Sequence, residues 1–402
     1  MEIKLFHDIE RGVKSALTKK RIINYYMYNH FSTIPDLAKE LDLSVPTVTK
    51  FVMEMCEEGY IITHGKMETS EGRPPTLYGL NPEAGYFIGV DIKKFGLSMG
   101  VMNFVGELME NPVSVNCLLP NSPEGLNLFC EHVSRFVSSV SVDKNKIVNI
   151  GVNISGRVNP ESGYSFSLFN FEERPLAEIL SERLGFPVSI DNDTRAMTYG
   201  EMMEGVVKGE KNFIFINLNW GLGAGIIIDG KMYLGKSGFS GELGHFNVFD
   251  NEIICHCGKR GCLETEVSGA AFHRILIENV KEGKRSILSE QILKDEKSLS
   301  LEDIVAATNK EDLLCIEILE EIAQKLGRYL AGVINLLNPE MVIIGGVLAQ
   351  TGDYLLQPVR SAVRKYSLNM VNKDSVIVLS KLQDKAGVVG ACMLARYNKF
   401  ER

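Results

Sequence analysis

Residues 255–262 read "CHCGKRGC", three thiols and an imidazole within eight positions. Thiolates and imidazole nitrogens form the usual donor set of tetrahedral zinc, with sulfur at about 2.3 Å and nitrogen at about 2.0–2.1 Å. Gly258 and Gly261 permit the tight turns that let Cys255, Cys257 and Cys262 converge. Zinc takes a fourth donor, and two histidines are near: His245 in "GELGH" and His256 inside the loop. His256 lies between two cysteines, so its side chain is expected to point away from the ion; His245 is favoured. Four protein donors leave no open position for water, so the expected ion is one structural zinc per chain. The competing reading is a cluster of free or redox-active thiols.

The neighbours of these cysteines carry a second chemistry. Glu242 precedes His245 by three positions, and Glu264 follows Cys262 by two. A closed metal knot would hold both carboxylates rigid. A rigid carboxylate accepts more than one hydrogen bond, which suits the hydroxyls of a sugar. The alternative is a pair of solvated loop acids.

The rest of the chain must position these groups. Its 402 residues suit two or three domains, and 45% hydrophobic with 23% charged residues describes an ordinary globular protein. Net charge is −8, so the whole molecule is no general polyanion binder. Residues 1–80 hold 10 Lys/Arg against 11 Asp/Glu, so most of the negative charge lies beyond them. Cys56, Cys117, Cys130, Cys315 and Cys392 stand singly among apolar neighbours, as buried free thiols do. The first 21 residues are charged throughout, unlike a secretory signal, and no apolar run approaches the ~20 residues that cross a bilayer. The expected compartment is a reducing cytoplasm, where clustered cysteines point to metal.

The N-terminal stretch has a different character. Val13, Leu17, Ile22, Ile23 and Tyr26 mark an amphipathic helix over 12–30, and Ile34, Leu37, Ala38 and Leu41 a short second one. Ser44 can cap a third helix that starts near Val45–Pro46. That helix buries Val48, Phe51, Val52 and Met55 and presents Pro46, Thr47, Thr49 and Lys50 on its other face. Two helices joined by a tight turn fit a helix-turn-helix. Residues 60–82 read as two strands around a polar loop, which adds a wing. Within it "GRPP" (72–75) offers Arg73 to a narrow minor groove. Lys19, Lys20, Arg21, Lys50, Lys66 and Arg73 could line one DNA-facing surface, and a dimer would double their phosphate contacts. The alternative is a three-helix protein-binding module.

Beyond residue 82 a pattern occurs twice: a three-strand meander, then alternating helix and strand. The first copy has strands at 86–92, 97–103 and 107–115, a helix at 122–140, a strand at 146–154, a helix at 176–185, a strand at 187–191 and a helix at 194–205. The second has strands at 212–219, 223–229 and 231–235, helices at 268–282, 301–308 and 312–337, and a strand at 341–346. A helix at 354–366, a strand at 375–380 and a helix at 386–399 close it. Two α/β lobes with a ligand cleft between them are the expected product.

"GELGH" followed by "CHCGKRGCLE" resembles the ROK family of repressors, uncharacterised reading frames and sugar kinases. "GVNISGRVNPESG" (151–163), "IDNDTRAMTYGE" (190–201), "NWGLGAGIII" (219–228) and "NPEMVIIGG" (338–346) match its other landmarks in order. The winged helix with "GRPP" is similar to the family's regulator branch, which the kinases lack. The resemblance implies an α/β fold class: a winged helix-turn-helix at 1–82, then a two-lobed actin-like ATPase fold of the sugar kinase/Hsp70 type, with lobes at 83–205 and 206–402. It also implies that Asn192, Asp193, Glu242, His245 and Glu264 contact sugar, with His245 binding zinc through one ring nitrogen and facing sugar through the other. In kinase members the aspartate matching Asp193 is the base.

The kinases' phosphate loops are altered here. Their first loop has two glycines and a threonine after the aspartate; this chain has Lys93, Lys94 and Phe95 after Asp91 and Ile92. Their second loop begins Gly-Thr-Gly; this chain has Asn219, Trp220 and Gly221. Phosphoryl transfer needs close backbone approach to phosphate, which side chains at these places obstruct. Gly221, Gly223 and Gly225 remain, and strand-turn packing accounts for them without a nucleotide. The expectation is therefore no enzyme, with Asp193 a vestigial base. The chain is read as a sugar-responsive transcriptional regulator of carbohydrate genes, with repression the expected mode. It binds operator DNA as a homodimer or tetramer, takes a small sugar effector and has no membrane partner. Ser44, Pro46, Thr47, Thr49, Lys50 and Arg73 are the expected DNA contacts. The alternative is an active, glucokinase-like sugar kinase with an appended DNA module.

Overall fold

Thr33 opens the helix-turn-helix by accepting a hydrogen bond from Asp36 N, which caps a seven-residue helix. The computed structural model describes residues 4–67 and 74–400. It divides into one unit formed by residues up to 191 together with those from 391 on, and a second unit, 192–390.

In the first unit, α1 (Lys4–Glu10) and α2 (Lys14–Asn29) precede a short strand β1 (Phe31–Ser32), then α3 (Ile34–Glu40) and α4 (Val45–Glu57). Helix α1 was not expected: Leu5, Phe6 and Ile9 form a buried stripe inside a stretch whose charges masked it. Ser44 caps α4 by accepting from Thr47 N at 3.3 Å, and Pro46 sits in the first turn, as expected. The turn between α3 and α4 is closed by Leu43 N donating to Ala38 O at 3.0 Å, with Asp42 left-handed at φ 52°. Strands β2 (Ile61–Lys66) and β3 (Thr76–Leu80) pair antiparallel, and the small sheet has the order β1-β3-β2. Arg73, the expected minor-groove contact, lies outside the described residues.

Two of the basic residues expected to face DNA are taken up by the fold. Lys19 is buried, and its ammonium donates to both oxygens of Glu58, at 2.6 and 2.8 Å. Arg21 donates to Leu41 O at 2.5 Å and so fastens α2 to the turn. A long cationic stem beside a core is drawn to local carboxylates and carbonyls before any distant phosphate.

The first large sheet is built from β4 (Tyr86–Lys93), β5 (Gly96–Asn103) and β6 (Val113–Asn116), followed after α5 (Pro123–Ser139) by β7 (Ile147–Ile154). Strands β8 (Val158–Asn159) and β9 (Tyr164–Ser165) form a separate two-stranded sheet, and after helix α6 (Leu176–Leu184) strand β10 (Val188–Asn192) completes the large one. The order is β10-β7-β4-β5-β6, with β4 antiparallel to β5 and parallel to β7. The third strand, expected at 107–115, begins at Val113; before it a single bridge joins Met102 and Leu108. Asn111-Pro112 separates the two, since proline has no N–H for a ladder.

The second unit starts with α7 (Asp193–Glu204) and repeats the plan with β11 (Phe213–Leu218), β12 (Leu222–Ile228) and β13 (Lys231–Met232). Helices α8 (Gly269–Lys281), α9 (Ser289–Asp295), α10 (Leu301–Asn309) and α11 (Leu313–Leu337) follow. Then come β14 (Met341–Gly345), α12 (Asp353–Tyr366), α13 (Asn369–Asp374), β15 (Val376–Leu379) and α14 (Ala386–Phe400), which ends in the first unit. The order β13-β12-β11-β14-β15 repeats the first sheet's plan, the doubled pattern expected of an actin-like fold. Strands β11 and β14 are parallel and buried throughout, which is why they read as unbroken apolar runs. The short helices α9 and α13 carry too little periodicity to be read from sequence. Among the described residues no helix is long and apolar enough to cross a membrane.

Candidate metal and ligand site

The "GELGH" stretch and the cysteine loop are laid side by side by backbone bonds. Leu263 N donates to Phe246 O at 2.8 Å, and Val248 N to Gly261 O at 2.8 Å. Gly261 has φ +72°, and a Cβ there would stand 2.2 Å from Phe249 O, so only glycine fits.

This brings His245, Cys255, Cys257 and Cys262 together, with their donor atoms all within 4.8 Å of one another. Cys257 Sγ lies 3.6 Å from Cys262 Sγ, and Cys255 Sγ 3.6 Å from His245 Nδ1. A tetrahedron with metal–sulfur bonds of 2.3 Å has edges of about 3.8 Å, so the residues fit a metal ion. All eight cysteines are free thiols. Burial, and then the Glu264 carboxylate, push the Cys255 thiol well up. A coordinated cation would override that, since a coordinating thiol is deprotonated outright.

The His256 side chain is largely exposed, yet its Nδ1 lies 3.9 Å from Cys255 Sγ. Its Nδ1 lies 2.7 Å from Glu264 Oε1, and its ring centroid 5.2 Å from that of His245. The bond to Glu264 raises the His256 pKa. Burial alone would raise the Glu264 pKa, but the hydrogen bonds from His256 and Cys255 outweigh it and leave the carboxyl below its ordinary range.

Of the expected sugar contacts, three gather here. His245 Nε2 stands 3.5 Å from Glu242 Oε2, and His245 Nδ1 3.7 Å from Glu264 Oε1. Asn192 and Asp193 arrive on another element. Asn192 caps α7 by accepting from Arg195 N, and Asp193 Oδ1 accepts from Thr194 N at 2.7 Å. Helix α7 lies so close to β12 that a Cβ on Gly223 would be 2.6 Å from Thr194 Oγ1, and one on Gly225 1.8 Å from Thr198 Oγ1. A Cβ on Gly221, two residues before Gly223, would be 3.3 Å from Glu264 Oε2. The start of β12 is thus the common neighbour of both groups.

Two residues that sequence reasoning passed over support this arrangement. Arg195, buried, donates to Gly238 O and ties α7 to the loop that leads to Glu242. Glu201, fully buried, accepts from Ser380 Oγ, Leu382 N and Val206 N and anchors the far end of α7. A charged residue among apolar helix positions was the available signal for both.

The residues expected to replace the kinases' phosphate loops lie in a hairpin turn and beside α8. Lys94 and Phe95 form the two-residue turn between β4 and β5, where Lys93 pairs with Gly96, and both are exposed. Trp220 is half-buried, and its ring lies 5.3 Å from that of His273 on α8. The DNA-facing candidates Ser44, Pro46 and Lys50 are exposed at the start of α4, with Thr47 and Thr49 half-buried.

A winged helix-turn-helix followed by two units of one repeated α/β plan, the second with a Cys3His cluster beside paired carboxylates, defines a class: a DNA-binding module joined to a sugar-kinase-type domain. Residues 105–398 match the ROK family model, and residues 16–62 match a winged helix-turn-helix DNA-binding model. The chain belongs to the ROK family. It is 30% identical to the xylose repressor of Caldicellulosiruptor bescii over 96% of this chain and 95% of that one. A solved ROK family transcriptional regulator, a homologue of the E. coli MLC protein, superimposes with a TM-score of 0.77 at 28% identity. That match covers 92% of this chain and 93% of the other. A ROK glucokinase from Streptomyces griseus, solved with glucose and AMPPNP, gives 0.68 at 28% identity over 78% of this chain and 99% of its own.

Proposed function

We propose that the chain is a cytoplasmic, sugar-responsive transcriptional repressor that binds operator DNA through α4 and the wing. The observation that carries this reading is the full-length match to a xylose repressor, DNA module included. The match to the glucokinase leaves about a fifth of this chain uncovered, roughly what the winged helix occupies. One structural zinc per chain on His245, Cys255, Cys257 and Cys262 would hold Glu242 and Glu264 as acceptors for sugar hydroxyls, with Asn192 and Asp193 completing the contacts. Ser44, Pro46, Thr47, Thr49, Lys50 and Arg73 would meet DNA, two copies of the chain reading two half-sites. A sugar alters operator affinity only if it binds the two states of the protein unequally.

The glucokinase likeness favours a second reading, an active sugar kinase with an appended DNA module. Two features weigh against it. Lys93, Lys94 and Phe95 put side chains where the kinases' first loop has two glycines and a threonine, and Trp220 stands where their second loop has a threonine. Fluorescence anisotropy on a labelled fragment of the chain's own upstream region tests the proposal, with D-xylose, D-glucose and N-acetyl-D-glucosamine as effectors. Specific binding that one sugar shifts is expected. Binding no tighter than to random DNA refutes it.

A further inference from the structure

His256, the less favoured of the two histidines as a metal donor, makes the shortest polar contact to Glu264. Its Nδ1 is 2.7 Å from Glu264 Oε1, while its side chain is 73% exposed and that of Glu264 only 9%. The other donor to Oε1 is the Cys255 thiol, at 2.9 Å. Of the two histidines facing Oε1, His256 is the one within hydrogen-bond distance, since His245 Nδ1 stands 3.7 Å away.

From this we infer that His256 is the positioning residue for Glu264: it holds Oε1 in place and leaves Oε2 directed at the start of β12. The inference rests on the reading of Glu264 as a sugar contact. Both partners are fixed by the same knot. His256 is clamped between two metal-binding cysteines, so its backbone has little freedom. Glu264 lies in a tight turn that begins at Cys262, with Thr265 N donating to Cys262 O at 3.1 Å. A free glutamate side chain has several rotamers, and ordering them on binding weakens affinity. A histidine that pre-orders the carboxylate removes that penalty without touching sugar itself. It also explains why a polar ring is placed on an otherwise exposed loop position.

The test uses the zinc-loaded full chain with His256→Ala and His256→Asn. An asparagine amide can occupy the place of Nδ1–H, and alanine cannot. Calorimetric titration with D-xylose, D-glucose and N-acetyl-D-glucosamine is expected to show about tenfold weaker binding for His256→Ala, the effect of one charge-assisted hydrogen bond. His256→Asn should recover most of it, with one zinc per chain in both variants. Unchanged affinity in His256→Ala, or no recovery in His256→Asn, overturns the inference; so does loss of zinc in His256→Ala, which would make His256 a ligand. Should the wild type bind none of the three sugars, the sugar reading fails, and the pair is judged without ligand. Histidine-selective ¹⁵N NMR should then show His256 protonated at Nδ1 in the wild type and not in Glu264→Ala. Identical spectra would overturn it.

Discussion

Gly225→Ala tests whether the glycines of "NWGLGAG" serve helix packing. The added Cβ would stand 1.8 Å from Thr198 Oγ1 and 2.8 Å from Thr198 Cβ. To reach ordinary contact, α7 must move off β12 by roughly 1.5 Å. It cannot do so freely: Glu201 is anchored by Ser380 and Leu382 at one end, and Arg195 by Gly238 near the other. Overpacking of this kind costs about 1–3 kcal/mol. For a unit of this size, a 2 kcal/mol loss lowers the unfolding temperature by about 4–8 °C. Differential scanning calorimetry of the full chain reads the shift. The partner variant Thr198→Ala removes the 1.8 Å clash and leaves the 2.8 Å contact. The double variant should therefore recover part of the loss, a coupling of about 1 kcal/mol. Gly225→Ala unfolding at the wild-type temperature, or the two losses adding, would refute the packing account and reopen a phosphate-facing role.

Cys257→Ser should drop metal content from one zinc per chain to well below one by elemental analysis, and abolish the sugar effect before operator binding falls. With ATP, magnesium and a hexose panel in a coupled assay, no turnover above background is expected. Buried Asp312 caps α11, accepting from Cys315 N at 2.9 Å and Ile287 N at 2.6 Å. Burial works against its charge, but those backbone bonds prevail and depress its pKa. Its contribution is therefore full above the unfolded value near 3.9 and fades as pH falls through the lower folded value. Asp312→Ala should cost about 1–2 kcal/mol at pH 7, with the gap closing in acid, as measured by urea unfolding across pH.

What could be read in advance was what is local along the chain. Cys255, Cys257, Cys262 and the glycines between them lie within one loop, so their convergence follows from turn geometry. The cap at Ser44, and the buried runs of β7, β11 and β14, announced themselves through residue type and periodicity. Helices α1, α9 and α13 are one to two turns long, too short for periodicity to separate them from loop.

What the sequence by itself determined was the order of the longer elements, the family, and three cysteines with two histidines as metal-binding candidates, because each depends on residues near in the chain or on a pattern repeated along it. Only the tertiary structure decided which polar groups spend themselves on one another. Lys19 went to Glu58, Arg21 to a carbonyl of the turn, Glu201 to the loop after β15 and His256 to Glu264. The physical reason is that a hydrogen bond forms over about 3 Å of space, whatever the distance along the chain, and no one-dimensional pattern records which partners folding brings that close.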